Sequence, residues 1–289
     1  MDEPLIKPTS DIFTAILWSA PKNEPILRDF INAVLLDSKQ PPVREATVLN
    51  RFNVKEFAFD RQFILDVRVK DERERQYNIE VQTAWHAGFC NRMLVQWADV
   101  YSSQLRTGAN FAELNPVKSI VITDFPIFSE LRNLHTVFEI HAQENSAVVF
   151  SDHFQMHFLR LGNMRQQQWE GLEVMEDDLQ YWMNFFAFGA TVSEDKMTQL
   201  VEKSPAVMAA YEEFRRFTLN EEMQDMERRR RRFLEDHRIY VGAARSEGIA
   251  QGKAEGKIEV VHNMRRKGYG VEAIAELTGL SHAEIERLD

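Results

Sequence analysis

The N-terminal part of the chain changes between two kinds of hydrophobic spacing, and each kind predicts one type of element. Within residues 10–36 apolar side chains recur every three or four positions, and Pro25 can open a second segment, so this stretch predicts two helices. In residues 63–69 and 77–82 apolar and polar side chains alternate instead, which predicts two strands. The charged residues 70–75 between these strands suit a hairpin turn.

Helical spacing returns further along the chain, and more strand patterns follow it. Residues 89–105 predict a helix that ends at Gly108. The short apolar run at 117–123 is typical of a buried strand, and 136–141 and 147–161 are two further strand candidates. This order of elements predicts an α/β fold with a mixed central sheet.

The remainder of the chain is predicted to be helical from Trp169 onward, and residues 221–251 are strongly charged. A small unit at 258–288 resembles a helix-turn-helix, with its turn at 278–281 and Ser281 as the N-cap of the second helix. We therefore expect three parts: a core domain at 1–190, a helical extension at 191–235, and a charged glycine-repeat connector with the small C-terminal unit at 236–289.

Composition narrows the class of protein. Hydrophobic residues make up 44% and charged residues 28% of the chain, which is the balance of an ordinary globular protein. The single cysteine, Cys90, excludes an internal disulfide and is expected to be a packing residue in a reducing compartment. The N-terminus lacks the features of a signal peptide, and no apolar run approaches the roughly 20 residues of a membrane helix. We therefore expect a cytoplasmic protein without membrane contact.

The formal net charge of −10 argues against tight, sequence-independent coating of nucleic acid, because phosphate binding depends on clustered lysine and arginine. Local binding sites remain compatible with this charge. The acidic side chains include candidates for a metal site.

Asp66, Glu80 and Gln82 are the candidates for chemistry. Period-two geometry puts Glu80 and Gln82 on one face of their strand, about 7 Å apart. If the strand with Asp66 pairs beside them, two carboxylates can converge on one Mg²⁺ ion, and the carbonyl of Val81 can add a ligand. The spacing alone is a weak signal in a chain with 45 acidic residues. On the residues alone, solvated charges on a half-exposed sheet are the favoured interpretation.

A resemblance distributed over most of the chain changes that interpretation. The segments that carry it are Lys7-Pro8-Thr9-Ser10-Asp11-Ile12-Phe13, Ile64-Leu65-Asp66-Val67, Asn78-Ile79-Glu80-Val81-Gln82, Arg92, Tyr101-Ser102-Ser103-Gln104-Leu105 with Gly108, Pro116-Val117, Ile120-Val121-Ile122, and the repetitive residues 247–256. With these segments the chain resembles the Rpn family of recombination-promoting nucleases, which are grouped with transposases of the PD-(D/E)XK superfamily. The resemblance implies a restriction-endonuclease-like core, a mixed sheet flanked by helices, with a helical C-terminal extension.

The resemblance also implies roles for the candidate residues. Asp66 and Glu80 would be the metal ligands, and Gln82 would take the place of the superfamily's usual lysine. A bound Mg²⁺, or alternatively Mn²⁺, lowers the pKa of a bound water and offsets charge on the scissile phosphate. Glu-x-Gln is common in this family, so Gln82 does not by itself imply an inactive enzyme.

One position departs from the family's pattern. Members often carry a lysine after the phenylalanine of the first helix, whereas Phe13 is followed here by Thr14. This puts the catalytic contribution of the first helix in doubt, although Asp11 can still reach the metal as an auxiliary ligand.

Two functions remain open at this point. The preferred one is a Mg²⁺-dependent endodeoxyribonuclease that binds DNA without an organic cofactor, forms homo-oligomers, and serves recombination, mobile-element or defence processes. The alternative is a catalytically inactive assembly or regulatory protein that keeps the nuclease fold. The acidic balance, Thr14 and the long C-terminal tail favour the alternative.

Other motifs have plainer interpretations. His153 and His157 have zinc spacing only if they lie on a helix, and the pattern around them is that of a strand. The glycines repeated in 248–256 predict a weakened helix or a flexible connector, and the arginine run 228–232 a solvated helix surface. The last helix, after residue 281, is mostly acidic, so a protein contact is expected there as readily as a DNA contact.

Overall fold

We describe the protein from a computed structural model that covers residues 6–50, 66–105, 110–128, 130–162, 164 and 177–288. The chain divides into two compact units, residues 1–228 and residues 229–289. None of the helices in the described part is both long enough and apolar enough to cross a membrane.

The first unit combines helices with one sheet. Its helices are α1 (Asp11–Ser19), α2 (Glu24–Asp37), α3 (Phe89–Ser102), α4 (Asp178–Phe188), α5 (Glu194–Val201) and α6 (Pro205–Leu219), with 3-10 turns at Pro21–Asn23 and Phe111–Glu113. Its strands are β1 (Thr47–Val48), β2 (Val67–Lys70), β3 (Gln76–Gln82), β4 (Val117–Thr123), β5 (His135–Phe138) and β6 (Phe154–Arg160). The long helix α7 (Glu221–Arg266) begins in this unit and continues into the second.

The first two helices begin where the sequence predicts them. The side chain of Ser10 caps α1 by accepting a hydrogen bond from the backbone N–H of Phe13 at 3.1 Å. Pro25 lies in the first turn of α2, where its missing N–H costs no helical hydrogen bond. The apolar sides of both helices are buried in the main core.

The six strands form one mixed sheet in the order β1-β2-β3-β4-β6-β5. β3, β4 and β6 are parallel neighbours, whereas β1–β2, β2–β3 and β5–β6 pair antiparallel. The parallel pair β3–β4 requires a crossover, and α3 lies within that connection. The predicted α/β fold with a mixed sheet and flanking helices is therefore confirmed.

The two faces of the sheet have different surroundings. One face belongs to the main core with α1, α2, α4 and α6, through Val67, Val69, Tyr77, Ile79, Ile120, Ile122 and Leu159. The other face packs in a smaller core against Phe89 and Met93 of α3, through Val121, Phe154, Met156 and Phe158. Cys90 packs beside this smaller core, as expected for a packing residue. The alternation predicted for β2 and β3 is therefore confirmed in the described residues, because their apolar positions face the main core.

Some boundaries differ from the prediction. Residues 63–65, Gly108 and Trp169 lie outside the described residues. The strand predicted at 136–141 is observed as His135–Phe138.

The prediction of one continuous strand at 147–161 was wrong in its first half, because β6 starts only at Phe154. The side chain of Asn145 accepts a hydrogen bond from the N–H of Ala147 at 3.0 Å, and the hydroxyl of Ser151 accepts one from the N–H of His153 at 3.1 Å. Such local side-chain bonds favour turns over a strand ladder.

The second unit ends in two short helices, α8 (Val271–Thr278) and α9 (His282–Glu286), after the end of α7. Gly279 turns the chain with a φ of 65°, and Ser281 begins α9 with a capping box that includes Glu284. A small core joins α7 to these helices through Val261, Met264, Ile274 and Ile285. The helices thus lie where the helix-turn-helix pattern predicts them, and the glycine repeat is helical within α7.

Candidate active site

The pairing register of β2 and β3 brings Asp66 and Glu80 together. Val67 pairs with Ile79, so the next position along the antiparallel ladder places Asp66 opposite Glu80. The carbonyl of Asp66 accepts a hydrogen bond from Asn50 Nδ2 at 2.8 Å, on the side of the strand away from β3. The two residues therefore form a non-hydrogen-bonded pair, whose Cα atoms are about 4.5 Å apart and whose side chains lie on one face.

Gln82 and the carbonyl of Val81 complete this end of β3. Gln82 Nε2 donates a hydrogen bond to Glu80 Oε1, because residues two positions apart on a strand have their side chains on the same face. The carbonyl of Gln82 accepts a hydrogen bond from the N–H of Asp124 at 3.1 Å, on the β4 side. Successive carbonyls of a strand point in opposite directions, so the Val81 carbonyl points toward the side of Asp66.

Glu80 is a buried carboxyl group in contact with a cation. Glu80 is 4% exposed, and a guanidinium N–H of Arg92 donates a hydrogen bond to its Oε1. Burial raises the pKa of Glu80, since the charged form loses its hydration. Arg92 and the side chain of Gln96 oppose this rise in pKa, and the negative charge of Asp66 adds to it.

A polar stripe on α3 lies over the two carboxylates. Arg92, Gln96 and Asp99 follow each other at intervals of four and three residues, which places them on one side of the helix. Asp99 Oδ2 lies 3.1 Å from a guanidinium nitrogen of Arg68, whose Nε lies 3.5 Å from Asp66 Oδ2.

These α3 and β2 side chains were not singled out as site residues from the sequence. The helical spacing of polar residues in 92–99 was the available signal. It could not indicate which face of the sheet the helix covers.

The donor atoms present fit a divalent cation. Oε2 of Glu80 is buried and accepts no hydrogen bond of normal geometry within the described residues, even though Gln96 interacts with this carboxyl group. The Asp66 side chain is 13% exposed, so it is reachable from solvent. Mg²⁺ is commonly held by one or two carboxylates, with water and phosphate oxygens in its other positions. Asp66, Glu80 and the Val81 carbonyl would hold such an ion.

Asp11 of the first helix is not grouped with the two carboxylates in the described residues. Within the described residues no three histidine, cysteine or acidic side chains form a group that could hold a metal ion, so Asp11 is not placed with Asp66 and Glu80. Asp11 Oδ1 accepts a hydrogen bond from the N–H of Ile12 at 3.0 Å at the start of α1. Thr14 is buried, and its hydroxyl donates to the carbonyl of Ser10 at 2.9 Å.

The two histidines with zinc spacing have separate partners. His153 Nδ1 lies 2.9 Å from the Tyr101 hydroxyl, whereas His157 Nδ1 lies 3.0 Å from Nε2 of His135. His153 lies in the turn before β6 and His157 lies within the strand, so the helical spacing that zinc binding requires is absent.

Comparison with known proteins identifies the family of the chain. Residues 8–244 match the family described as PD-(D/E)XK nuclease family transposase. Searches of curated proteins and of solved structures found no significant match. The matched region contains the whole sheet, the paired carboxylates and α3. The chain therefore belongs to the PD-(D/E)XK nuclease family transposases.

Proposed function

We propose that the protein is a metal-dependent endodeoxyribonuclease, with Mg²⁺ as its ion and Mn²⁺ as an alternative. The observation that carries this proposal is the register that sets Asp66 opposite Glu80, with the carbonyl of Val81 on the same side of β3 as Asp66, in a chain of this nuclease family. Family membership supports a nuclease acting on DNA. The identity of the metal, the site residues and the endonucleolytic mode are the parts that we propose.

The residues have distinct roles in this proposal. Asp66, Glu80 and the Val81 carbonyl hold the ion, which when bound lowers the pKa of water and offsets charge on the scissile phosphate. Gln82 orients the attacking water through its amide, which can both donate and accept a hydrogen bond. The α3 side chains close one side of the site and keep Glu80 away from bulk water.

A plasmid nicking assay tests the proposal. Wild-type protein should nick supercoiled DNA with Mg²⁺ or Mn²⁺ and lose this activity when a chelator is added. Asp66→Ala and Glu80→Ala should each abolish nicking while circular dichroism and thermal unfolding show an intact fold.

Glu74→Gln is a matched control for these variants. Glu74 lies in the β2–β3 turn and forms an ion pair with Lys70 at 2.9 Å, away from the site. The Glu74→Gln variant should cut DNA at the wild-type rate. Nicking by Asp66→Ala and Glu80→Ala at that same rate would overturn the site, and cutting unaffected by chelator would overturn the metal dependence.

A second candidate function is assembly without catalysis. Several large apolar side chains of α7 are exposed, among them Ile239, Tyr240 and Val241, and exposed apolar groups of this size favour contact with another protein. Homo-oligomers, a cytoplasmic location, membership in the Rpn branch and a role in recombination, mobile-element or defence processes belong to the proposal as well. Absence of metal-dependent cutting together with a stable oligomer in analytical ultracentrifugation would favour assembly.

A further inference from the structure

The candidate site contains a cation that does not come from the strand. The superfamily's usual lysine position is Gln82, and the first helix has Thr14 where related chains often carry a lysine. Arg92 instead reaches Glu80 from α3 and forms an ion pair with it. The positive charge beside Glu80 thus comes from a helix that packs over the sheet, whereas Arg68 of β2 lies beside Asp66.

Local structure places Arg92 there. Gly88 has a φ of 84°, a left-handed conformation that glycine adopts easily, and α3 begins at the next residue. The N–H of Arg92 donates to the carbonyl of Gly88 at 2.9 Å, so Arg92 lies at the start of the helix. Phe89 and Met93 anchor the same turn in the smaller core.

The guanidinium group lies between a buried carboxylate and solvent. The side chain of Arg92 is 37% exposed, whereas that of Glu80 is 4% exposed. Another guanidinium nitrogen lies 3.4 Å from Nε2 of His86, in the loop that follows β3. A planar guanidinium with open N–H groups matches the geometry of a phosphate.

Arg92 would have to share Glu80 with a metal ion held at this site. Both are cations, so a divalent ion on Glu80 would repel the guanidinium and compensate the carboxylate charge in its place. Arg92 then needs another anion within reach of its side chain. A phosphate of DNA bound at the metal would be such an anion.

We propose that Arg92 exchanges Glu80 for the phosphate that is cut and supplies the positive charge that Gln82 lacks. The inference rests on the proposed nuclease function. It assigns Arg92 as a catalytic residue that contacts substrate, and its ion pair with Glu80 belongs to the metal-free state.

Binding to uncut DNA tests the exchange without relying on activity. Ca²⁺ binds carboxylate and carbonyl oxygens, so it can support DNA binding in this assay, and cutting is monitored so that only uncut duplex is measured. Arg92→Gln should weaken the affinity for a short duplex about fivefold or more in Ca²⁺, and less than twofold in chelator, because without metal the guanidinium remains on Glu80.

Arg73→Gln is the matched control. Arg73 lies in the β2–β3 turn, where its Nε is 3.8 Å from Oε1 of Glu72. Its replacement by glutamine removes the same charge as Arg92→Gln, but away from the site. Its effect on affinity should be the same with Ca²⁺ and with chelator. An equal effect of Arg92→Gln under both conditions would identify Arg92 as an ordinary surface contact and overturn the inference.

Single-turnover cleavage tests the catalytic role. Arg92→Gln should lower the rate about 100-fold, and Arg92→Lys should recover part of it because the charge is retained. Adding Gln82→Lys to Arg92→Gln should raise the rate at least tenfold, whereas Gln82→Met in the same background should not.

The outcomes separate this inference from the proposed function. Arg92→Gln cutting within threefold of wild type, while Glu80→Ala is inactive, would overturn the role of Arg92 and leave the nuclease site standing. Glu80→Ala cutting normally would overturn the site itself. An Arg92→Gln protein that loses Mn²⁺ affinity in parallel with its rate would show that Arg92 only holds Glu80 in place, which also overturns the inference.

Discussion

Glu80 carries a negative charge in surroundings that oppose it. Burial raises the pKa of this carboxyl group, and its contacts with Arg92 and Gln96 oppose that rise. The neighbouring Asp66 adds a second negative charge on the same face. Under the proposed function, a divalent ion would compensate the charges of these two close carboxylates.

Glu80→Gln is expected to stabilise the metal-free protein at neutral pH. The substitution removes a buried charge and keeps the side-chain shape, while Arg92 stays partly solvated. The melting temperature should rise by a few degrees, which about 1 kcal/mol produces in a domain of this size. Mn²⁺ should raise the melting temperature of wild type but not of Glu80→Gln. Equal stabilisation of both proteins by Mn²⁺ would place the ion elsewhere.

Substitutions of Gln82 test its part in the chemistry. Gln82→Lys should preserve or raise the cleavage rate, because a positioned cation near the attacked phosphate is commonly worth a few kcal/mol. Gln82→Ala should lower the rate, because the amide that orients the water is lost. The measurement is single-turnover cleavage at saturating Mg²⁺, which removes differences in binding. Identical rates for the three proteins would show that Gln82 lies outside the chemistry.

At the scale of elements, β5 and β6 are joined by a polar chain away from the candidate site, buried at His157 and exposed at Asp37. His135 Nδ1 lies 2.6 Å from Asp37 Oδ2 of α2, and His135 Nε2 lies 3.0 Å from His157 Nδ1. Burial lowers the pKa of His157 well below its ordinary value, and the nearby His135 and Lys118 add to this. Burial also lowers the pKa of His135, although Asp37 opposes the effect.

These shifts predict a loss of stability on acidification. The ordinary histidine pKa of 6.5 applies to the unfolded chain, and the folded values are lower. The stability that depends on neutral histidines is therefore fully present above about pH 6.5 and declines as the pH falls toward the folded pKa values. His157→Gln should flatten the dependence of melting temperature on pH between 7 and 5. An unchanged slope in this variant would assign the acid sensitivity to other groups.

The alternation of side chains along β2 and β3 was predictable from the sequence because a strand has a fixed period. This period correctly placed Glu80 and Gln82 on one face of the sheet, and Val67 and Val69 on the apolar face. The approach of Arg92 was not predictable in the same way, since a helical period defines a stripe but not the surface beneath it.

Turns, and contacts between residues far apart in the sequence, were predicted less well than the strands. The segment before Phe154 has apolar residues with strand-like spacing, but Asn145 and Ser151 each bind the backbone two residues further on, in two separate turns. Asp11 was expected as an auxiliary ligand on the basis of the resemblance, and its distance from Asp66 depends on how α1 docks. Docking depends on the packed core around Phe13, which no local pattern specifies.

At the scale of the whole molecule, the family match overlaps only the first part of the second unit, at residues 229–244. The part of α7 that contains Gly248, Gly252 and Gly256 follows the matched region, together with α8 and α9. The candidate ligands all lie before residue 83. The tail is therefore expected to affect assembly or DNA affinity more than the chemical step.

Removal of residues 247–289 tests this division. The truncated protein should cut at a single-turnover rate close to that of the full chain at saturating DNA. Its oligomeric state in analytical ultracentrifugation, or its DNA affinity, should change. A folded, equally assembled truncation that had lost all activity would contradict this view of the tail.

The central claim is that Asp66 and Glu80 hold one divalent ion, and anomalous diffraction from crystals grown with Mn²⁺ tests it most directly. The account predicts an anomalous peak bonded at roughly 2.1 Å to carboxylate oxygens of both residues and to the Val81 carbonyl. Arg92 should then have left Glu80. A peak elsewhere, or an intact Arg92–Glu80 ion pair with no metal between Asp66 and Glu80 at saturating Mn²⁺, would contradict the account.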